Sequence, residues 1–169
     1  MIPPIVSVVA NSGTGKTTLL EKLIAEMKRR GYRVAAIKHD AHRFDIDHEG
    51  KDSWRLTRAG ADTTLIMSKE KLAMVKQHTT ADAPGLVESV ANYCNDVDIV
   101  LTEGFRKSTL PKIEVHRRGH SEKLLCRAVE YDPTLIAVAA DNSLEIDVPL
   151  YDIDNLRGLC DLIVERYLS

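Results

Sequence analysis

Residues 10–17 read Ala10-Asn11-Ser12-Gly13-Thr14-Gly15-Lys16-Thr17, with Thr18 next. They match seven of the eight positions of a phosphate-binding loop, counting the unrestricted ones, with Ala10 in place of its first glycine. Each residue type meets a physical demand. Glycines let successive backbone N–H groups converge on phosphate oxygens, and a helix N-terminus adds partial positive charge. Lys16 is placed to reach the β- and γ-phosphates, and the Thr17 hydroxyl to ligate Mg²⁺. Alanine is the smallest substitute for the missing glycine and is tolerated where the backbone keeps φ negative.

The flanks supply the context that this loop needs. Ile5-Val6-Ser7-Val8-Val9 reads as a short buried strand, and Thr17 to Arg30 as a helix with Leu19, Leu20, Leu23, Ile24 and Met27 on one face. Gly31 stands where a glycine ends a helix, and Arg33 to Lys38 reads as a second strand. Strand, loop, helix and strand in that order form the right-handed crossover of α/β proteins.

Beyond it, residues 39–51 are polar and aperiodic and predict a loop. Asp52 to Arg58 predicts a short helix. Thr63 to Met67 and Leu72 to Val75, around Ser68-Lys69-Glu70-Lys71, predict a hairpin. Asp82-Ala83-Pro84 would start a helix with Leu86, Val87, Val90, Ala91 and Cys94 buried. Strands follow at Asp98 to Thr102, Lys112 to His116 and Leu135 to Ala139, and a closing helix at about Asn155 to Leu168. The expected fold is α/β, a three-layer P-loop NTPase type with a mostly parallel central sheet flanked by helices and an added β-hairpin, as one domain over residues 1–169.

The chain has 169 residues, of which 44% are hydrophobic and 28% charged, and its net charge is −2. No apolar run approaches the ~18–20 residues of a membrane helix, and no global basic field exists to hold nucleic acid. Met1-Ile2-Pro3-Pro4 leads directly into a strand without a basic, cleavable leader, which predicts a cytoplasmic protein. Cys94, Cys126 and Cys160 fit neither a disulfide framework nor a zinc motif and read as small reduced hydrophobes.

A nucleotide site of this kind needs a second Mg²⁺ anchor at the carboxyl end of a neighbouring strand. Asp98 begins its strand and Glu103 ends it, so Glu103 is the candidate, contacting the metal directly or through water, or else forming a plain salt bridge. Lys16 and Glu103 are therefore the candidate catalytic residues, and Thr17 and Glu103 the candidate metal ligands. Lys38 and His39 with Asp40, His42, Asp45, Asp47 and His48 form a nucleotide- or substrate-responsive loop, a solvated surface, or a metal site of no standard spacing. Arg106, Lys107 and Lys112 are either solvated charges or anion contacts, and His116, Arg117 and Arg118 share those alternatives. Trp54 and Phe44 read as packing, and Met27, Met67 and Met74 as core. The guanine-reading motif Asn-Lys-x-Asp is absent. Its positional equivalent, Asp141 after the Leu135 strand, is a guanine reader or a turn aspartate.

The loop at 10–17, Lys38-His39, Gly50-Lys51-Asp52-Ser53, Arg58-Ala59-Gly60-Ala61 and Glu103-Gly104-Phe105, in this order, resemble the molybdopterin-guanine dinucleotide biosynthesis adaptors of the MobB family. The resemblance runs from Ile5 to the last helix. It implies a homodimer that binds GTP with Mg²⁺, hydrolyses GTP weakly, and assists the nucleotidyltransferase that attaches GMP to molybdopterin. It carries nucleotide-binding roles to Gly13, Gly15, Lys16, Thr17 and Thr18, alongside Asn11, Ser12 and Thr14 of the same loop, and the acidic strand end to Glu103. The residues alone leave a second reading, a P-loop kinase acting on a small metabolite. Weak hydrolysis also fits the glutamate at 103 and the lack of any glutamine or arginine evidently placed to act on the γ-phosphate. Lys38, Lys51, Arg106 and Lys107 would form a second anion site, suited to the phosphate of molybdopterin, if gathered at the same sheet edge. The hairpin around Lys69, with unpaired edges, is the candidate dimer surface.

Overall fold

The computed structural model describes residues 2–39, 44–78, 83–120, 123–128 and 131–169. Asp40, His42 and Asp82 lie outside the described residues. In chain order the elements are β1 (Ile5–Val9), α1 (Lys16–Arg29), β2 (Val34–Lys38), α2 (Asp52–Arg58), β3 (Thr63–Met67), β4 (Leu72–Lys76) and α3 (Leu86–Tyr93). They continue with β5 (Ile99–Glu103), β6 (Lys112–His116), α4 (Leu125–Ala128), β7 (Leu135–Ala140), β8 (Leu150–Asp152) and α5 (Leu156–Tyr167). Two compact units result, Met1–His39 with Val87–Ser169, and Asp40–Leu86.

The first unit is built on a six-stranded sheet in the order β2-β5-β1-β6-β7-β8, with every neighbouring pair parallel. Alternation along the strands sends Val6, Val8, Ile99, Leu101, Ile113, Val115, Ala137 and Ala139 to one face, where Leu23 and Met27 of α1 and Leu159 and Ile163 of α5 bury them. Arg30 holds these two helices together through Glu26 and Asp161. The other face packs Val9, Leu135, Val138 and Ala140 against Cys126 of α4 and the half-buried Leu144, Ile146 and Val148.

That second face also carries polar groups that are paired inside the fold. Ser7 and Thr102 share a buried hydroxyl–hydroxyl bond of 2.7 Å. Glu114 accepts from the backbone N–H groups of Leu125 and Cys126 and so fixes the start of α4. Lys112 is fully buried, pairs with Asp132 at 3.1 Å, and donates to the Ser108 carbonyl and the Thr134 hydroxyl. It is thus neither of the things its sequence neighbourhood suggested. A buried ammonium must be paired, and this one is spent inside the fold.

Other expectations need correction as well. Only Val90 of α3 is buried, and Val87 is 52% exposed. Met27 is core, but Met67 is 70% exposed and Met74 half-buried, because the hairpin that carries them is not sandwiched like the central sheet. Phe44 is 66% exposed and packs into no core. The four-residue α4 and three-residue β8 are too short to leave a periodic signal.

The second unit holds α2 and the antiparallel hairpin β3-β4, in which Leu65 faces Met74 and Met67 faces Leu72. The Thr57 hydroxyl of α2 bonds that of Thr64 on β3 at 2.9 Å, and the Arg58 guanidinium lies 5.3 Å from the centre of the half-buried Trp54 ring. Among the described residues no helix is long and apolar enough to cross a membrane.

Candidate functional site

β1 is hydrogen-bonded on both sides, to β5 and to β6, so the loop at its carboxyl end opens between the ends of those two strands. This is the crevice in which an open parallel sheet presents ligand-binding loops. Gly13 and Gly15 hold φ of 78° and 94°, values that glycine alone adopts cheaply, and they curl the backbone back over itself. Ala10 is not among the residues of positive φ, which explains why alanine serves there. The Thr14 side chain is buried and donates to the Asn11 carbonyl at 2.7 Å, stapling the loop. Asn11 and Ser12 form its outer turn, and Thr18 is exposed in the first turn of α1.

Lys16 opens α1 and bends its ammonium into the loop, donating to the carbonyls of Ala10 at 3.2 Å and Asn11 at 3.0 Å. The Thr17 hydroxyl donates to Glu103 Oε2 at 2.7 Å, joining the start of α1 to the end of β5. Two hard oxygens at this separation match adjacent corners of a Mg²⁺ octahedron, where metal–oxygen bonds of about 2.1 Å put neighbouring ligands about 3.0 Å apart. The donor set fits that ion. The other acid weighed from the sequence, Asp98, lies at the far end of β5. It pairs with Arg33 at 2.7 Å, whose hydrogen bonds hold the Asp98 carboxyl below the ordinary carboxylate range.

Glu103 is aimed by an unusual turn. The Gly104 N–H donates to Val8 O of β1, Gly104 takes φ of 102°, and Phe105 follows at φ 55°, the one non-glycine residue of positive φ among those described. His39 N–H donates to the Glu103 carbonyl, and the His39 and Phe105 rings lie 4.7 Å apart. A Cβ on Gly104 would sit 3.3 Å from His39 Cβ, so the Lys-His and Glu-Gly-Phe elements of the sequence are one packed corner. Lys38 pairs in register with Glu103 and is exposed.

Arg117 is the residue that sequence reasoning undervalued. It follows β6 and reaches the loop from the side opposite β5. Its Nε donates to the Thr14 carbonyl at 2.9 Å, and its guanidinium lies 3.5 Å from where a Gly15 Cβ would be. Arg117, read from the sequence as a solvated charge or an anion contact, is brought against the loop by the fold. The signal was there only in the topology, since nothing before the strand order is known says that β6 borders β1. His120 also approaches, with ring atoms 4.0 Å from a Cβ built on Gly13. Asp141 directly follows β7 and accepts from the Arg118 backbone N–H at 2.9 Å, which ties the two loops together, and the buried Asn142 Oδ1 beside it has no hydrogen-bond partner among the described residues.

Arg106 and Lys107 do not join the phosphate loop. They line a cavity with α4 and the segment that leads into β7. Lys51, exposed at the N-cap of α2, belongs to the second unit. Asp45, Asp47 and His48 show no metal-binding grouping, since no cluster of three His, Cys, Asp or Glu residues suited to a metal exists among the described residues.

Residues 5–141 match the family model for MobB, molybdopterin guanine dinucleotide synthesis protein B. The chain is 39% identical to the Escherichia coli molybdopterin-guanine dinucleotide biosynthesis adapter protein, over 96% of this chain and 92% of that one. It is 38% identical to the Haemophilus influenzae protein of the same description, over 95% and 87%. A solved structure of molybdopterin-guanine biosynthesis protein B superposes with a TM-score of 0.75 at 28% identity, covering 95% of this chain and 97% of that one. Bacillus subtilis MobB gives 0.74 at 26% identity, covering 97% and 98%.

Substituting Gly104 by alanine tests the turn that aims Glu103. Left-handed backbone costs a Cβ-bearing residue about 1–2 kcal/mol, so Gly104→Ala should lower the melting temperature by about 2–8 °C. An unchanged melting temperature would show that the turn carries no such constraint.

Proposed function

The chain belongs to the MobB family of molybdopterin guanine dinucleotide synthesis proteins, and from that premise we propose that it is a GTP-binding adaptor for the attachment of GMP to molybdopterin. The observation that carries this reading is the hydrogen bond from Thr17 to Glu103 beside a phosphate loop already curled to hold anions. In the proposal, the N–H groups of residues 11–18 and the Lys16 ammonium bind the triphosphate. Thr17 and Glu103 hold Mg²⁺, which offsets phosphate charge. Arg117 adds a third cation from the β6 side. Lys16 leaves the two carbonyls that it now touches and turns to the phosphates, an exchange of neutral acceptors for charged ones that favours binding. Hydrolysis is slow, and the chemistry served takes place on a partner nucleotidyltransferase.

Guanine selection falls to the carboxyl end of β7. One Asp141 oxygen is held by the Arg118 N–H, so the other is the proposed acceptor for guanine N1–H and N2–H groups. Three free thiols, well separated in the sequence, accord with a reducing, cytoplasmic setting. The proposed homodimer uses the hairpin. Leu65, Met67 and Leu72 are 52%, 70% and 61% exposed, and the β3-β4 register places them on one face with Met74. Apolar surface of that kind on a hairpin with open edges suits a symmetric partner.

Titration of GTP with Mg²⁺ onto Lys16→Ala should show at least about tenfold weaker binding, the effect of losing about 1.4 kcal/mol of charge-assisted contact. Undiminished affinity would remove the loop from the nucleotide site. In competition against labelled GTP, ATP should displace poorly, and Asp141→Ala should erase the preference; equal displacement by ATP from the unaltered protein would refute guanine selection. By light scattering at micromolar concentration the protein should be a dimer and Met67→Lys a monomer. A monomeric unaltered protein would exclude the hairpin interface.

A further inference from the structure

Behind α4, on the sheet face opposite α1 and α5, lies a cavity of about 650 Å³ that the nucleotide site does not use. Its size is in the range of small-molecule sites. Arg106, Lys107 and Ser108 form one wall, Leu125 and Cys126 of α4 another, and Tyr131, Asp132 and Pro133 a third, leaving one side open to solvent. None of the loop 10–17 lines it.

Among the described lining residues the charge is unbalanced in one direction. Asp132, the acid in the wall, is already answered by Lys112 at 3.1 Å and by the Thr134 N–H and hydroxyl at 2.9 and 2.6 Å. Burial pushes its carboxyl up, but the Thr134 hydrogen bonds and Lys112 outweigh burial and keep it below the ordinary range, so it stays an anion and cancels Lys112. Arg106 and Lys107 are both exposed, and neither forms an ion pair among the described residues. Two adjacent like charges repel, and the arrangement is relieved by one dianionic ligand.

The remaining walls favour a flat ring. Leu125, Pro133 and the Cys126 thiol, which burial raises to about 12 and so keeps neutral, supply the apolar part of a mixed lining. Tyr131 is held rigidly for an exposed aromatic residue. The Arg127 guanidinium lies 4.2 Å from its ring centre, and its hydroxyl donates to Asp147 at 3.0 Å. Arg127 in turn is locked to both Asp147 oxygens at 2.9 Å. A ring fixed in this way offers a stacking surface at little entropic cost.

We propose that this cavity is a second ligand site, separate from the phosphate loop, that binds a phosphomonoester carried on a flat heterocycle, with Arg106 and Lys107 taking the phosphate and Tyr131 the ring. In identifying that heterocycle as a pterin, the proposal rests on the adaptor reading above, which puts molybdopterin in the reaction. The protein then holds the two substrates of the guanylylation at two separate places and presents both to the docked transferase, raising their local concentration there.

The probe is neopterin monophosphate, titrated calorimetrically onto the full chain, with neopterin, GMP and inorganic phosphate as separate arms. The unaltered protein should bind the pterin phosphate at least about tenfold more tightly than any of the three. Arg106→Glu with Lys107→Glu should abolish that binding and leave GTP affinity unchanged, whereas Lys16→Ala should do the reverse. The neutral pair Arg106→Gln with Lys107→Gln, made at the same exposed positions, should weaken it at least about tenfold with the fold intact by circular dichroism. No binding of the pterin phosphate, or binding that survives both double variants, overturns the site. Equal binding of neopterin shows that no phosphate is read, equal binding of GMP that no pterin is read, and equal binding of inorganic phosphate that the ring adds nothing; each overturns the proposal. Loss with Lys16→Ala assigns the ligand to the nucleotide loop instead. Pterin phosphate binding without GTP binding would leave this site standing while the nucleotide reading failed.

Discussion

Parallel pairing on both sides of β1 is the constraint from which the functional geometry follows. A central strand in a parallel sheet has its backbone groups satisfied by two neighbours, so its carboxyl end cannot shift without breaking both ladders. The phosphate loop inherits that rigidity. β5 on one side delivers Glu103 to Thr17, and β6 on the other delivers Arg117 to Thr14 and Gly15. The flexible residues of the site are thus anchored on three adjacent strands.

Much of this was legible from local signals. The loop sequence, the buried strand before it and the amphipathic helix after it identify the first crossover, and Gly31 ends α1 with φ of 92° as its position suggests. Glu103 was separable from Asp98 by asking only which end of the strand each occupies. What could not be read depends on strand order. Arg117 is one of several basic residues after a strand until β6 is known to border β1. Lys112 looks like a surface charge because its partners Asp132 and Thr134 are about twenty residues on, across a turn. Met67 and Met74 sit at apolar strand positions like those of the central sheet, and only the number of layers over each sheet distinguishes them.

The second face of the sheet shows how the fold accommodates polar residues in a parallel strand set. Ser7 with Thr102, Glu114 with the α4 N–H groups, and Lys112 with Asp132 are each matched internally, so none of these groups is buried without a partner. Such pairs add little net stability over apolar replacements, yet removing one member is costly, because the other stays buried. They act as registration marks between strands and helices.

The same central strand has a consequence in time. β1 leaves the ribosome before every other element described above, but its partners start at residues 99 and 112. At about 5–20 residues per second, roughly 5 to 20 s pass between synthesis of β1 and completion of β6. The hairpin, whose strands are four residues apart, closes long before that. During the interval Ile5, Val6, Val8 and Val9 have no sheet to join, and the phosphate loop has no floor. The newborn chain therefore passes through a stage in which an apolar strand is exposed and the loop at its end is unformed, so any ligand of that loop could guide only the last steps of folding.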